Sequence, residues 1–134
     1  MVLDTSAVVA ILRNEADRDV LLQAIESDPV RLFSAVSEVE AGMVLESRAG
    51  PEAGAALDLF LYKAQVKVMP FDSRQSEIAR RAWRKFGKGN HPARLNFGDC
   101  CVYALARVTG ERILCKGQDF ARADCDLVRL VAGG

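Results

Sequence analysis

A three-layer α/β sandwich, with a four- to five-stranded parallel sheet between helices, is the fold class this sequence predicts. Three observations carry that prediction. Short apolar runs recur at residues 1–3, 30–34, 65–69, 112–115 and 126–130. Most stretches between them carry apolar residues at helical rather than strand spacing. Strands alternating with helices need crossover connections, which build parallel sheets covered by helices.

The first strand runs into Asp4, Thr5 and Ser6, where a helix over 5–13 begins, with Ala7, Val8, Ile11 and Leu12 on one face. A second helix, 16–26, turns Val20, Leu21, Leu22 and Ile25 inward until Pro29 stops it. After the strand at 30–34, Ser37 and Glu40 stand at capping-box spacing and open a helix that carries Met43, Val44 and Leu45. Gly50-Pro51 breaks the chain, and Pro51 suits the first turn of a helix over 51–64. Its apolar residues Leu57, Leu59, Phe60, Leu61 and Tyr62 cover more than one face. A valine-rich strand at 65–69 leads to Asp72-Ser73, which caps a helix where Ile78, Ala82, Trp83 and Phe86 recur at near-fours. Residues 87–95 form a loop holding His91, the only histidine. Asn96 then starts a helix with Phe97, Cys101, Ala104, Leu105 and Val108 inward, ended by Gly110. A strand at 112–115, a turn at 116–120 and a short strand at 126–130 follow, and residues 132–134 are expected to fray. With no repeat or linker, the 134 residues read as one domain, 1–134.

Half the residues are hydrophobic, enough to pack a core. A formal net charge of zero argues against a broad basic surface for nucleic acid and leaves room for a local strip. The cysteines, Cys100, Cys101, Cys115 and Cys125, form no CxxC pair and read as small buried hydrophobes, reduced in a cytoplasmic protein. The N-terminus lacks the basic region of a signal peptide. No apolar run reaches the ~18 residues of a membrane span.

Four acids stand at comparable places. Asp4 ends the first strand, Glu40 sits in the first turn after the second, Asp99 opens the helix before the fourth strand, and Asp119 follows that strand. If strands one and four are neighbours, these acids border the crevice at the carboxyl edge where open parallel sheets bind ligands. Carboxylates crowded together repel, and a divalent cation removes the conflict. Oxygen ligation without histidine suits Mg²⁺, or Mn²⁺, rather than zinc. Thr5 and Ser6 place hydroxyls beside such an ion, where they could orient a carboxylate. Each acid also has a structural reading, since Asp4, Glu40 and Asp99 stand at capping positions and Asp119 at a turn. Spacing alone leaves both readings open.

The motifs themselves resemble the PIN-domain ribonucleases, and among them the VapC toxins of toxin–antitoxin pairs. VLDTSAVVAIL is similar to the family's first motif, SAVSEVEAGMVL to its second, HPARLNFGDCCVYALA to its third and ILCKGQDF to its fourth. The resemblance implies Asp4, Glu40 and Asp99 as metal ligands and a sheet ordered 3-2-1-4-5. Many members place an acid two residues before the Asp-Phe pair of the fourth motif. Here that position is Gly117, and Asp119 takes the role of fourth catalytic acid. The resemblance also implies a Mg²⁺-dependent endoribonuclease acting on structured RNA such as tRNA or rRNA. It further implies a homodimer and inhibition by a VapB-type antitoxin whose helix lies in an apolar groove, for which 51–64 has surface to spare.

No acid lies between Glu77 and Asp99, whereas Arg80, Arg81, Arg84, Lys85, Lys88 and Arg94 do, and this strip is the candidate RNA-phosphate track. His91, before a proline in a loop, reads as a packing or solvated residue. Two rivals remain. One is a phosphatase or phosphoacceptor domain with a nucleophilic Asp and Lys116. The other is a non-catalytic RNA- or protein-binding module on the same fold.

Overall fold

The computed structural model describes residues 1–131. Its strands are β1 (Val2–Leu3), β2 (Leu32–Ser34), β3 (Lys67–Met69) and β4 (Ile113–Leu114). Its helices are α1 (Thr5–Leu12), α2 (Arg18–Glu26), α3 (Ala35–Ala49), α4 (Pro51–Lys63), α5 (Ser73–Phe86) and α6 (Phe97–Thr109). The sheet is parallel throughout, in the order β3-β2-β1-β4.

Alternation along the strands builds the layers. Val2 and Ile113 face one way, packing with Ala82, Phe86, Leu95, Val102 and Leu105 beneath α5 and α6. Leu3 and Leu114 face the other, packing with Val8, Ile11, Leu21, Leu57 and Leu61 beneath α1, α2 and α4. Both residues of β1 are fully buried, as a strand covered on both faces must be.

Two expectations change. The final strand at 126–130 is a single parallel bridge, Ile113 with Leu127, on the outer edge of β4. Charged Asp126 and Arg129 flank a segment too short in apolar residues to extend the ladder. Helix α3 starts at Ala35, because Ser34 at the end of β2 caps it by accepting the Val36 N–H at 3.2 Å. Ser37 is therefore buried inside the helix and no capping box involves Glu40, which lies in the second turn. The fraying expected at 132–134 lies outside the described residues.

Candidate active site at the carboxyl edge of the sheet

From central β1 the chain turns to β2 on one side, while β4 lies on the other, so the switch point at which open parallel sheets carry their crevice lies between the carboxyl ends of β1 and β4. The Asp4 N–H donates to the Leu114 carbonyl at 2.8 Å, the last rung before the two strands part. Asp4 then caps α1, its Oδ2 accepting from the Ser6 N–H at 3.0 Å and from the Ser6 hydroxyl at 2.5 Å. The Ser6 oxygen also accepts the Lys116 N–H at 2.9 Å, tying the start of α1 to the loop after β4.

Asp99 forms a reciprocal box with Asn96. The Asn96 N–H donates to Asp99 Oδ2 at 3.0 Å, and the Asp99 N–H to Asn96 Oδ1 at 2.9 Å. So both carboxylates commit Oδ2 to a helix start, and no hydrogen bond found among the described residues uses either Oδ1. Glu40 reaches the start of α6 from α3, its carboxylate lying over Gly98, where an added Cβ would come within 2.6 Å of Oε2. Asp119 is exposed at the head of a short 3-10 helix (Phe120–Arg122) and makes no side-chain cap bond.

The acids feel one another. Burial pushes Asp4 above the ordinary carboxylate range against the pull of its Ser6 hydrogen bonds, and the charges of Glu40 and Asp119 add to the rise. Asp99 is raised to about 6, first by burial, then by Asp4, Asp119 and Glu40. No ion pair among the described residues involves any of the four. Lys116, the cation a phosphatase scheme would use, turns away to Glu15 and to Asp17 at 3.4 Å.

The donor set suits a hard divalent cation: carboxylate oxygens, two of them unspent, with no histidine at the crevice. The buried Thr5 hydroxyl, without a partner, is one further oxygen beside Asp4. No three Asp, Glu, His or Cys side chains among the described residues stand at the spacing of one shared ion. The fit is therefore one of charge and donor type: the acids border the crevice without closing on a common point.

The basic strip divides. Arg80 and Arg84, one turn apart, line a hollow between α5 and α6 beside Cys100 and Cys101, next in sequence to Asp99. Arg81 and Lys85 line a different hollow, where Lys85 pairs with Asp124 at 3.9 Å. Lys88 and Arg94 are exposed in the loop. His91 packs edge-on against Phe86 at 5.1 Å and accepts the Ala93 N–H through Nδ1 at 3.0 Å. The four thiols are free, and burial pushes Cys100 and Cys101 up to about 11 and Cys115 and Cys125 up to about 12, so they stay protonated.

Sequence reasoning missed two features. Gly98 seats Glu40, and its signal was a glycine inside the first turn next to a candidate ligand. Phe97, expected inward, is 74% exposed, and Trp83 is 49% exposed, both on the α5–α6 hollow.

The family model described as PIN domain matches residues 1–125. A protein named Ribonuclease VapC from Mycolicibacterium smegmatis is 48% identical over 124 residues, 92% of this chain and 96% of that protein. Ribonuclease VapC30 of Mycobacterium tuberculosis is 44% identical over 130 residues, 97% of this chain and 99% of its own. Among solved structures, Mycobacterium tuberculosis VapC20, described as a sarcin–ricin loop cleaving toxin, superposes with a TM-score of 0.77 at 20% identity, over 92% of this chain and 95% of that one. A toxin–antitoxin complex from Klebsiella pneumoniae follows at 0.70 and 14% identity, over 92% of each chain. These two likenesses, at such identity, speak for the fold alone.

Proposed function

The chain belongs to the PIN-domain family, among its VapC-type ribonucleases, and from that premise we propose that it is a divalent-cation-dependent endoribonuclease toxin. Asp4, Glu40 and Asp99 would hold the ion, Mg²⁺ or Mn²⁺, with Asp119 as fourth acid at the rim. The observation that carries this reading is the mutual field of the four acids at the β1–β4 crevice, none of them ion-paired among the described residues. Bound there, the ion would supply Lewis acidity, neutralising charge on the scissile phosphodiester and lowering the pKa of an attacking water.

The protein's share is orientation. The Ser6 hydroxyl and N–H fix one oxygen of Asp4, and Asn96 fixes one of Asp99, so each keeps its remaining oxygen free for an ion. Gly98 lets Glu40 approach from the third side. Arg80 and Arg84, on the flank nearest Asp99, would take RNA phosphates. Arg81, Lys85, Lys88 and Arg94 extend that field along an RNA such as tRNA or rRNA.

A VapB-type antitoxin would lay an apolar helix in the groove lined by Leu12, Leu22, Ile25, Leu59 and Phe60, about 430 Å³, which α4 builds with α1 and α2. Val39 and Met43, a turn apart on α3 and 60% and 68% exposed, supply an apolar patch for a homodimer. No helix among the described residues is long and apolar enough to cross a membrane.

Mapping cuts in total RNA with Mg²⁺, for wild type and Asp99→Asn, tests the proposal. Cuts that vanish in the variant support it, and undiminished cutting refutes it. Calorimetric titration with Mn²⁺ separates the nuclease from a non-catalytic module on the same fold, for which Asp4→Asn would leave the heat unchanged.

A further inference from the structure

We infer that the hollow between α5 and α6 is a nucleobase subsite, taking one unstacked base of the RNA next to the scissile phosphate. The inference rests on the nuclease reading and names part of its substrate. The hollow measures about 450 Å³, within the ~300–1,000 Å³ of small-ligand sites. Buried Ala79, Cys100 and Cys101 form its floor, and the half-exposed Trp83 and exposed Phe97 stand over it as aromatic walls.

Two arguments favour a nucleotide as occupant. The first is charge. Arg80 and Arg84 stand one helical turn apart on the same hollow, and neither joins an ion pair among the described residues. An aromatic cleft edged by two free guanidinium groups matches a base carrying a phosphate on either side. The second is continuity with the acid crevice. Phe97 is two residues before Asp99, and Glu40 lies over the intervening Gly98. A chain of nucleotides crossing Asp99 would therefore set its neighbouring base against Phe97 and Trp83. The indole is also held in place, because it packs on Gly87, where an added Cβ would come within 2.5 Å of its Cδ1.

Trp83 is the only tryptophan in the chain, so its emission reports this hollow alone. The Asp99→Asn variant, whose asparagine can still accept the Asn96 N–H, would be titrated with a random-sequence pool of short single-stranded RNA and with an abasic pool of the same backbone. Quenching by the first and not the second is expected. Equal quenching by both would show backbone binding only and overturn the subsite. No quenching by either, with the wild type still cutting RNA, would overturn it and leave the nuclease standing. If emission instead tracks protein concentration and dimerisation by sedimentation, and ignores RNA, a second copy of the chain fills the hollow and the inference falls. In cleavage assays Trp83→Ala should raise KM about tenfold, the size of one lost base–aromatic stack, with kcat kept and Trp83→Phe restoring KM. An unchanged KM refutes the subsite. Failure of the wild type to cut any RNA with any divalent cation would take down the nuclease reading itself, and the subsite with it.

Discussion

At one end of α6, Asp124 receives the Tyr103 hydroxyl at 2.8 Å and Arg107 at 3.0 Å, and Lys85 stands 3.9 Å away. At the other end, Asp99 feels Asp4, Glu40 and Asp119 and has no basic partner among the described residues. The chain has cations to spend, since Lys116 begins beside the crevice and still pairs with Glu15 and Asp17. The contrast separates acids paired within their own protein from acids without such a pair. Burial without a counter-charge costs stability, and such a cluster is a candidate functional site, here the proposed cation site.

The sharpest break of this comparison is activity. Asp99→Asn or Asp4→Asn should cut the RNA cleavage rate by at least about a hundredfold, as loss of a charge-stabilising group does, while Asp124→Asn leaves it within about twofold. Single-turnover rates on one RNA would read all three, and equal losses at both ends of α6 would erase the distinction.

Gly98→Ala comes next. Its methyl group meets the end of a flexible side chain, so the cost falls on the position of Glu40 and not on the backbone. Activity should drop about tenfold, as for a displaced group around an ion. Stability should hold or rise slightly, alanine being the better helix former by up to ~1 kcal/mol. Rate and urea midpoint measured on the same preparation separate the two effects.

Stability tells the converse. Asp124→Ala should cost about 1 kcal/mol in urea unfolding, a modest figure because its charged partners Lys85 and Arg107 are substantially solvent-exposed and the Tyr103 bond is only part-buried.

A further effect follows pH. Asp99 keeps its proton to about pH 6 in the fold, while an unfolded aspartate releases it near ~3.9. Between those values the fold binds more protons than the unfolded chain, so metal-free stability declines as pH rises from about 4 to about 6 and levels off above. Asp99→Asn should lack that decline in thermal melts followed across pH. For the same reason Mn²⁺ affinity should weaken as pH drops below about 6.

Much of this was legible in the text of the chain. Asp4 after two apolar residues announced both a strand end and a helix cap, and the Asn96–Asp99 spacing announced the box that forms. Glu40 was chosen as the acid of the second motif, and it is its rival capping reading that the fold discards, since Ser34 rather than Ser37 caps α3. A hydroxyl three residues before an acid looks the same inside a helix as at its start. The basic strip read as one feature because a linear list hides the turn of a helix: Arg84 and Lys85 are adjacent in sequence and serve different hollows. Phe97 looked like core by composition, yet at the first position of α6 it projects past the edge of the layer it was assigned to.

The missing side chain at Gly98 has a genetic corollary. Glycine and alanine codons differ by a single base, so one point mutation would blunt the crevice while sparing α4 and the surface it shares with α1 and α2. If that surface takes the antitoxin as proposed, a chain weakened that way would still fold and still sequester the antitoxin of its active siblings, changing from a poison into a sponge.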